Sequence, residues 1–148
     1  MKLLTASRAD KLVSSDRESP TADAAPKRIL LVEDNDLNRQ MLADYLIYCG
    51  YQVFSLAGGS SFFQAVADLH PNLILLDLKL PDINGYTLLE QIQQRSDCCH
   101  IPVIVVSAYA FKADQQRAFS LGVRRYFVKP VILSDLNRAI QDELGDLT

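Results

Sequence analysis

Four short stretches of this sequence place chemically capable side chains directly after strand-like runs. Glu33-Asp34 follow Ile29-Leu30-Leu31-Val32, Asp77 follows Leu73-Ile74-Leu75-Leu76, Ser107 follows Val103-Ile104-Val105-Val106, and Lys129 follows Arg124–Val128. Three carboxylates brought together repel, and each resists ionisation unless a cation sits among them. Oxygen ligands of this kind favour a hard ion, and a few carboxylates with waters and a phosphate suit Mg²⁺ best. A lysine beside them supplies a point charge for a phosphoryl oxygen, and a hydroxyl can donate a hydrogen bond to one. A carboxylate next to Mg²⁺ can attack phosphorus and form an acyl phosphate. Charge spreads over equatorial oxygens in that transition state, so positioning and cationic stabilisation carry most of the catalysis. Asp77 is the best nucleophile, because a central third strand projects it into the middle of the cluster. Glu33 and Asp34 are better placed to hold metal.

Whether these groups meet depends on the elements that carry them. Arg28–Val32, Gln52–Ser55, Asn72–Leu76, Val103–Val106 and Arg124–Val128 read as strands. Three of the five contain unbroken apolar runs, as strands buried on both faces require. Between them lie amphipathic segments, Leu37–Cys49, Ser61–Leu69, Gly85–Gln94, Lys112–Leu121 and Leu133–Leu144. In the first, Leu37, Met41, Leu42, Tyr45 and Leu46 share one side at helical spacing. Gly50 and Gly122 stand where helices stop before the next strand. Strict alternation of five such units predicts an α/β fold, an open, doubly wound parallel sheet with helices on both faces. The pattern alone leaves the strand order open. In either plausible order, functional residues collect at the carboxyl ends of the strands, and the four loops above all leave that edge.

Composition bounds the function. A chain of 148 residues predicts one domain, and its 49% hydrophobic and 22% charged residues can support a core. The net charge of −3 builds no basic face for nucleic acid. No apolar run is long enough to cross a bilayer. Met1-Lys2-Leu3-Leu4 resembles the start of a signal peptide, but Arg8, Asp10 and Lys11 interrupt before an apolar region forms. The expected location is cytoplasmic. Residues 1–26 are polar, small and interrupted by Pro20 and Pro26, so a disordered or weakly ordered tail is expected there, with the domain spanning 27–148. Cys49, Cys98 and Cys99 form no Cys-x-x-Cys pair, and neither a zinc site nor a disulfide framework is indicated. His70 and His100 read as solvated loop residues. Gly58-Gly59-Ser60 lacks the ending of a phosphate-binding P-loop and reads as a flexible turn. Arg124-Arg125 reads as a solvated pair.

With its motifs taken together, the sequence resembles the receiver domains of two-component response regulators, from Lys27 to about Leu144. The motifs are Leu31-Val32-Glu33-Asp34-Asn35, Leu75-Leu76-Asp77 through Pro81-Asp82-Ile83-Asn84-Gly85, Val106-Ser107-Ala108 and Lys129-Pro130. Any one is weak; four in order at the right strand ends are strong. The resemblance implies the flavodoxin-like strand order 2-1-3-4-5. It implies that Asp77 is the phosphorylated aspartate and that Glu33 and Asp34 hold Mg²⁺, with the main-chain carbonyl of Lys79 as a further ligand. Ser107 matches the hydroxyl that moves to grip the phosphoryl group, and Lys129 the lysine that pairs with it. Tyr126 matches the aromatic switch that swings inward with Ser107. The Lys129-Pro130 bond is commonly cis in such domains.

The function implied is a phospho-accepting switch, fed by a histidine kinase or a histidine phosphotransfer protein. It would catalyse its own phosphorylation and slow dephosphorylation without being a turnover enzyme. An aspartate-based phosphatase would show Asp-x-Asp, whereas Leu78 and Lys79 follow Asp77. The alternative is a receiver-like interaction module that works without phosphorylation. An output protein is expected on the face made by the fourth helix, fifth strand and fifth helix, and a homodimer is compatible with the pattern. Few residues follow the last helix, so no output domain is expected within this sequence.

Overall fold

The computed structural model describes residues 25–145. Most of the expected N-terminal tail, residues 1–24, lies outside them, as do residues 146–148. Five strands, β1 (Arg28–Val32), β2 (Gln52–Leu56), β3 (Leu73–Leu76), β4 (Val103–Ser107) and β5 (Arg125–Val128), alternate with five helices. These are α1 (Asp36–Tyr48), α2 (Phe62–Leu69), α3 (Gly85–Gln94), α4 (Lys112–Ser120) and α5 (Leu133–Leu144). The strands pair in parallel in the order β2-β1-β3-β4-β5. This is the fold class and order expected; the element ends shift by a residue or so, with Ser107 closing β4 and α1 starting at Asp36 behind its cap Asn35.

Alternation along the strands explains why helices cover both faces. Leu30, Val32, Ile74, Leu76, Val103 and Val105 face one core, against Phe62 and Val66 of α2, Leu88 and Ile92 of α3 and Ala118 of α4. Ile29, Leu31, Leu73, Leu75, Ile104 and Val106 face the other, against Leu42 and Leu46 of α1 and Leu136 and Ile140 of α5. Every residue of β3 and β4 is buried, as strands covered on both sides must be. A carboxylate or hydroxyl at the tip of such a strand is therefore held by a rigid support. The register aligns the tips: Val32 pairs with Leu76, and Ser107 with Val128.

Two local readings need refinement. Arg124 and Arg125 keep side chains 61% and 38% exposed, as expected of a solvated pair, but both guanidiniums also clasp Glu143 of α5, at 3.1 and 2.9 Å, and its side chain is only 7% exposed. The charges are on neighbouring residues in sequence, but their shared partner lies on a helix that only the tertiary fold brings near. Gly58-Gly59-Ser60 is not a loose turn, since the Gly59 and Ser60 amides donate to the Asp82 carboxylate at 2.9 and 2.8 Å.

Candidate functional site

The acids meet at the carboxyl edge of β1 and β3. Backbone bonds continue the sheet past the strand ends, from Glu33 N to Leu56 O and from Asp77 N to Val32 O, each 3.0 Å. These bonds set Glu33 and Asp77 side by side, both buried, while Asp34 points to solvent. One carboxylate oxygen from each of Glu33, Asp34 and Asp77 falls within 4.8 Å of the others. Two ligands opposite each other on Mg²⁺ are separated by roughly 4.2 Å, twice the ion's bond length. The three acids therefore suit a hard divalent cation after small side-chain rotations, and Asp34 leaves the outer side open to water.

Lys129 closes the inner side. Its ammonium donates to Glu33 Oε1 at 2.7 Å and to Asp77 Oδ2 at 2.8 Å. Burial works to lower the pKa of this ammonium, but the bonds to Asp77 and Glu33 outweigh it and hold the group above its usual value. The remaining oxygens are also held: Asn35 N donates to Glu33 Oε2 at 3.0 Å and Lys79 N to Asp77 Oδ1 at 3.1 Å. Asp77 thus keeps a fixed orientation, with a cation on one oxygen and an amide on the other. The Lys129-Pro130 peptide bond is cis.

Ser107 ends β4 fully buried. Its carbonyl accepts Lys129 N at 2.9 Å, tying the lysine's backbone to the neighbouring strand. Its hydroxyl oxygen accepts Tyr109 N at 3.2 Å, and the carbonyl of the same Tyr109 accepts the Tyr126 hydroxyl at 2.8 Å. A hydrogen-bonded chain therefore runs from the edge of the acid cluster to the half-buried Tyr126 ring, which lies 6.4 Å from Phe119 of α4. The Tyr126 phenol titrates above its usual value, raised first by burial and partly offset by its contact with Ser107.

Of the site residues expected from the sequence, Glu33, Asp34, Asp77 and Lys129 stand in one cluster, Lys79 adjoins it through its amide, and Ser107 and Tyr126 form the chain beside it. Sequence reasoning missed Arg39, whose guanidinium donates to Glu33 O at 2.9 Å and pairs with Asp36 at 2.7 Å, fixing the loop that carries the acids. Its place one turn into α1, after two acids and a cap, was the available signal. Tyr109 links Ser107 to Tyr126 through its backbone, and Asp82, part of the motif after Asp77, reaches across to another loop.

A family model described as the response regulator receiver domain matches residues 29–141. The chain belongs to this family. The receiver is 32% identical over 120 residues to the polar-differentiation response regulator DivK of Brucella ovis, covering 81% of this chain and 98% of that protein. A receiver domain protein from Methanospirillum hungatei JF-1, described as CheY-like, superposes with a TM-score of 0.76 at 30% identity, over 82% of this chain and 96% of that one. The receiver domain of a sensor histidine kinase from Pseudomonas aeruginosa PAO1, solved with a magnesium ion coordinated in its active-site cleft, gives 0.71 at 31%, over 82% of this chain and 99% of that one. Membership makes the receiver part of a two-component signalling switch. Among the described residues, no helix is long and apolar enough to cross a membrane.

Proposed function

We propose that this receiver is a Mg²⁺-dependent phosphoryl acceptor that takes its phosphoryl group on Asp77 from a histidine kinase or phosphotransfer protein in the cytoplasm. The observation that carries the reading is the bracketing of Asp77 by the Lys129 ammonium at 2.8 Å and by two further carboxylates within 4.8 Å. An acid so placed has a partner for the incoming anion on one side and a cation site on the other. Glu33, Asp34 and Asp77, with the main-chain carbonyl of Lys79, would hold the ion. Mg²⁺, when bound, offsets the charge that gathers on the transferring oxygens. A magnesium-bearing cleft in the related kinase receiver supports the choice of metal.

In the step itself an Asp77 oxygen attacks phosphorus, the bond from phosphorus to the donor's imidazole nitrogen breaks, and its electron pair stays on that nitrogen. Lys129, already oriented on Asp77, is placed to pair with a phosphoryl oxygen. Ser107 turns its hydroxyl toward another, which withdraws its oxygen from Tyr109 N. Tyr109 then shifts its hold on Tyr126, and the population moves toward a state with an altered α4–β5–α5 face, where an output protein or a second copy binds. Hydrolysis later breaks the bond between phosphorus and the Asp77 oxygen and resets the receiver. The protein turns over no external substrate beyond its own phosphoryl group.

Incubation with acetyl phosphate and Mg²⁺, followed by intact mass measurement, tests this. Wild type should gain one phosphoryl group, and Asp77→Asn none. No adduct on wild type supports instead a receiver-like module that works through binding alone, and an adduct that survives the substitution defeats the assignment of Asp77 as acceptor.

A further inference from the structure

Asp82 sits at the tip of the turn between β3 and α3, away from the acid cluster. Its two oxygens accept the Gly59 and Ser60 amides from the loop between β2 and α2, at 2.9 and 2.8 Å. Those amides precede a helix whose cap residue, Ser61, makes no side-chain capping bond. Asp82 thus ties down the two residues that lead into the cap, from a loop distant in sequence. Although exposed, its carboxyl is held below the usual carboxylate range, first by the Gly59 amide. The fit is close on both loops. A Cβ on Gly58 would stand 2.9 Å from Asp82 Oδ1, and one on Gly59 would stand 2.4 Å from Ile83 Cγ2. The paired glycines are small because the opposite turn presses against them.

The base of the same turn reaches the functional site. Lys79 and Asn84 form an antiparallel bridge, Gly85 N donates to Leu78 O at 3.0 Å, and Lys79 N donates to Asp77 Oδ1 at 3.1 Å. The turn is thus tied at its base to the acceptor aspartate and at its tip to the β2–α2 loop. The Lys79 carbonyl lies in the backbone between these two ties.

The geometry points to Asp82 as a positioning residue for the divalent cation. By clamping the turn to the Gly59 and Ser60 amides, it fixes the direction of the Lys79 main-chain carbonyl as a ligand. This rests on the cation reading above and extends it to a side chain that touches neither metal nor phosphoryl group. Outer groups that orient metal ligands typically change affinity about 10- to 100-fold when removed; an exposed carboxylate acting through a backbone turn belongs at the low end.

The test is a Mg²⁺ titration of the full chain by calorimetry, with the ¹³C shift of the Lys79 carbonyl followed by NMR, on wild type, Asp82→Ala, Asp82→Asn and Gly58→Ala. Asp82→Ala should weaken Mg²⁺ by about tenfold and shrink the carbonyl shift at saturation. Asp82→Asn keeps one acceptor and should fall between. Gly58→Ala disturbs the clamp without altering Asp82 and should act in the same direction, with a double variant showing less than the summed loss. If Asp82→Ala does not fold, as judged by circular dichroism, the other two variants decide. Variants that lose thermal stability but bind Mg²⁺ as wild type does, with an unchanged carbonyl shift, overturn the positioning role. Wild type that binds no Mg²⁺ overturns the cation reading itself, and the positioning role with it.

Discussion

The Lys129 ammonium bridges Glu33 Oε1 and Asp77 Oδ2, at 2.7 and 2.8 Å, between two carboxylate side chains that are only 2% and 5% exposed. Removing the lysine leaves two buried acids facing each other without a counter-charge. Breaking a fully buried pair costs about 3–5 kcal/mol; Lys129 is itself 21% exposed, so about 2–3 kcal/mol is expected for Lys129→Met. Urea unfolding in chelator checks the loss, and repeating it in Mg²⁺ should recover part of it. A variant as stable as wild type in chelator would show that the bridge has no structural weight.

Asp34 carries the opposite balance. It is exposed, makes no ion pair among the described residues, and adds a negative charge to the Glu33–Asp77 pair. Asp34→Asn should therefore raise the urea midpoint in chelator, because repulsion is relieved, while weakening Mg²⁺ by about tenfold or more through loss of a ligand. Stability and cation affinity moving in the same direction would refute this account of the cluster.

Tyr126 and Ser107 are joined through both backbone groups of Tyr109. Tyr126→Phe removes the 2.8 Å bond to the Tyr109 carbonyl, at a cost of about 1 kcal/mol. Beryllofluoride, a phosphoryl mimic, should still bind at Asp77 in this variant. Its chemical-shift changes over α4, β5 and α5 should shrink relative to wild type. Undiminished changes across that face would remove Tyr126 from the switch.

The sheet was legible because its evidence is local. Ile29–Val32, Leu73–Leu76 and Val103–Val106 are unbroken apolar runs that only a doubly covered sheet accommodates, and the acids, hydroxyl and lysine each follow a strand directly. Strand order was not derivable from pattern and came from resemblance to a family. What stayed illegible depends on contacts between distant loops. Asp82 looks like any turn acid until the Gly59 and Ser60 amides arrive, and the shared partner of Arg124 and Arg125 is invisible until α5 brings Glu143. Local sequence encodes which element a residue joins; it carries little about which neighbouring loop closes over it.

Gly85 illustrates the same point with a measurable consequence. It opens α3, and a Cβ there would stand 2.4 Å from the Leu78 Cα, a backbone atom that cannot swing aside. Gly50 also lies in a turn, at φ +100°, with nothing within 4 Å of an added Cβ. Gly50→Ala should cost about 1 kcal/mol through backbone strain alone, whereas Gly85→Ala should cost more, about 2–3 kcal/mol, and displace the turn beside Asp77. Thermal melts of the two variants give the comparison, and equal losses would mean that the α3 start relaxes freely.

Tyr86 sets an expectation for alkaline pH. Its ring is 5% exposed beneath the Arg117 guanidinium, which lies 4.0 Å from the ring centroid, and its hydroxyl donates to Asp114 O at 3.2 Å. Burial first, and then the Asp114 carboxylate, push the phenol up from 10.0 to about 12. A group whose pKa is higher in the fold than in the unfolded chain binds its proton more tightly when folded. Its contribution is therefore fully present below pH 10.0, declines as the unfolded chain ionises first, and is gone once pH passes about 12. Urea midpoints of wild type and Tyr86→Phe across that window should converge as pH rises, because only wild type carries this titration. A constant gap between them through the window would show that the phenol is no harder to ionise in the fold than outside it.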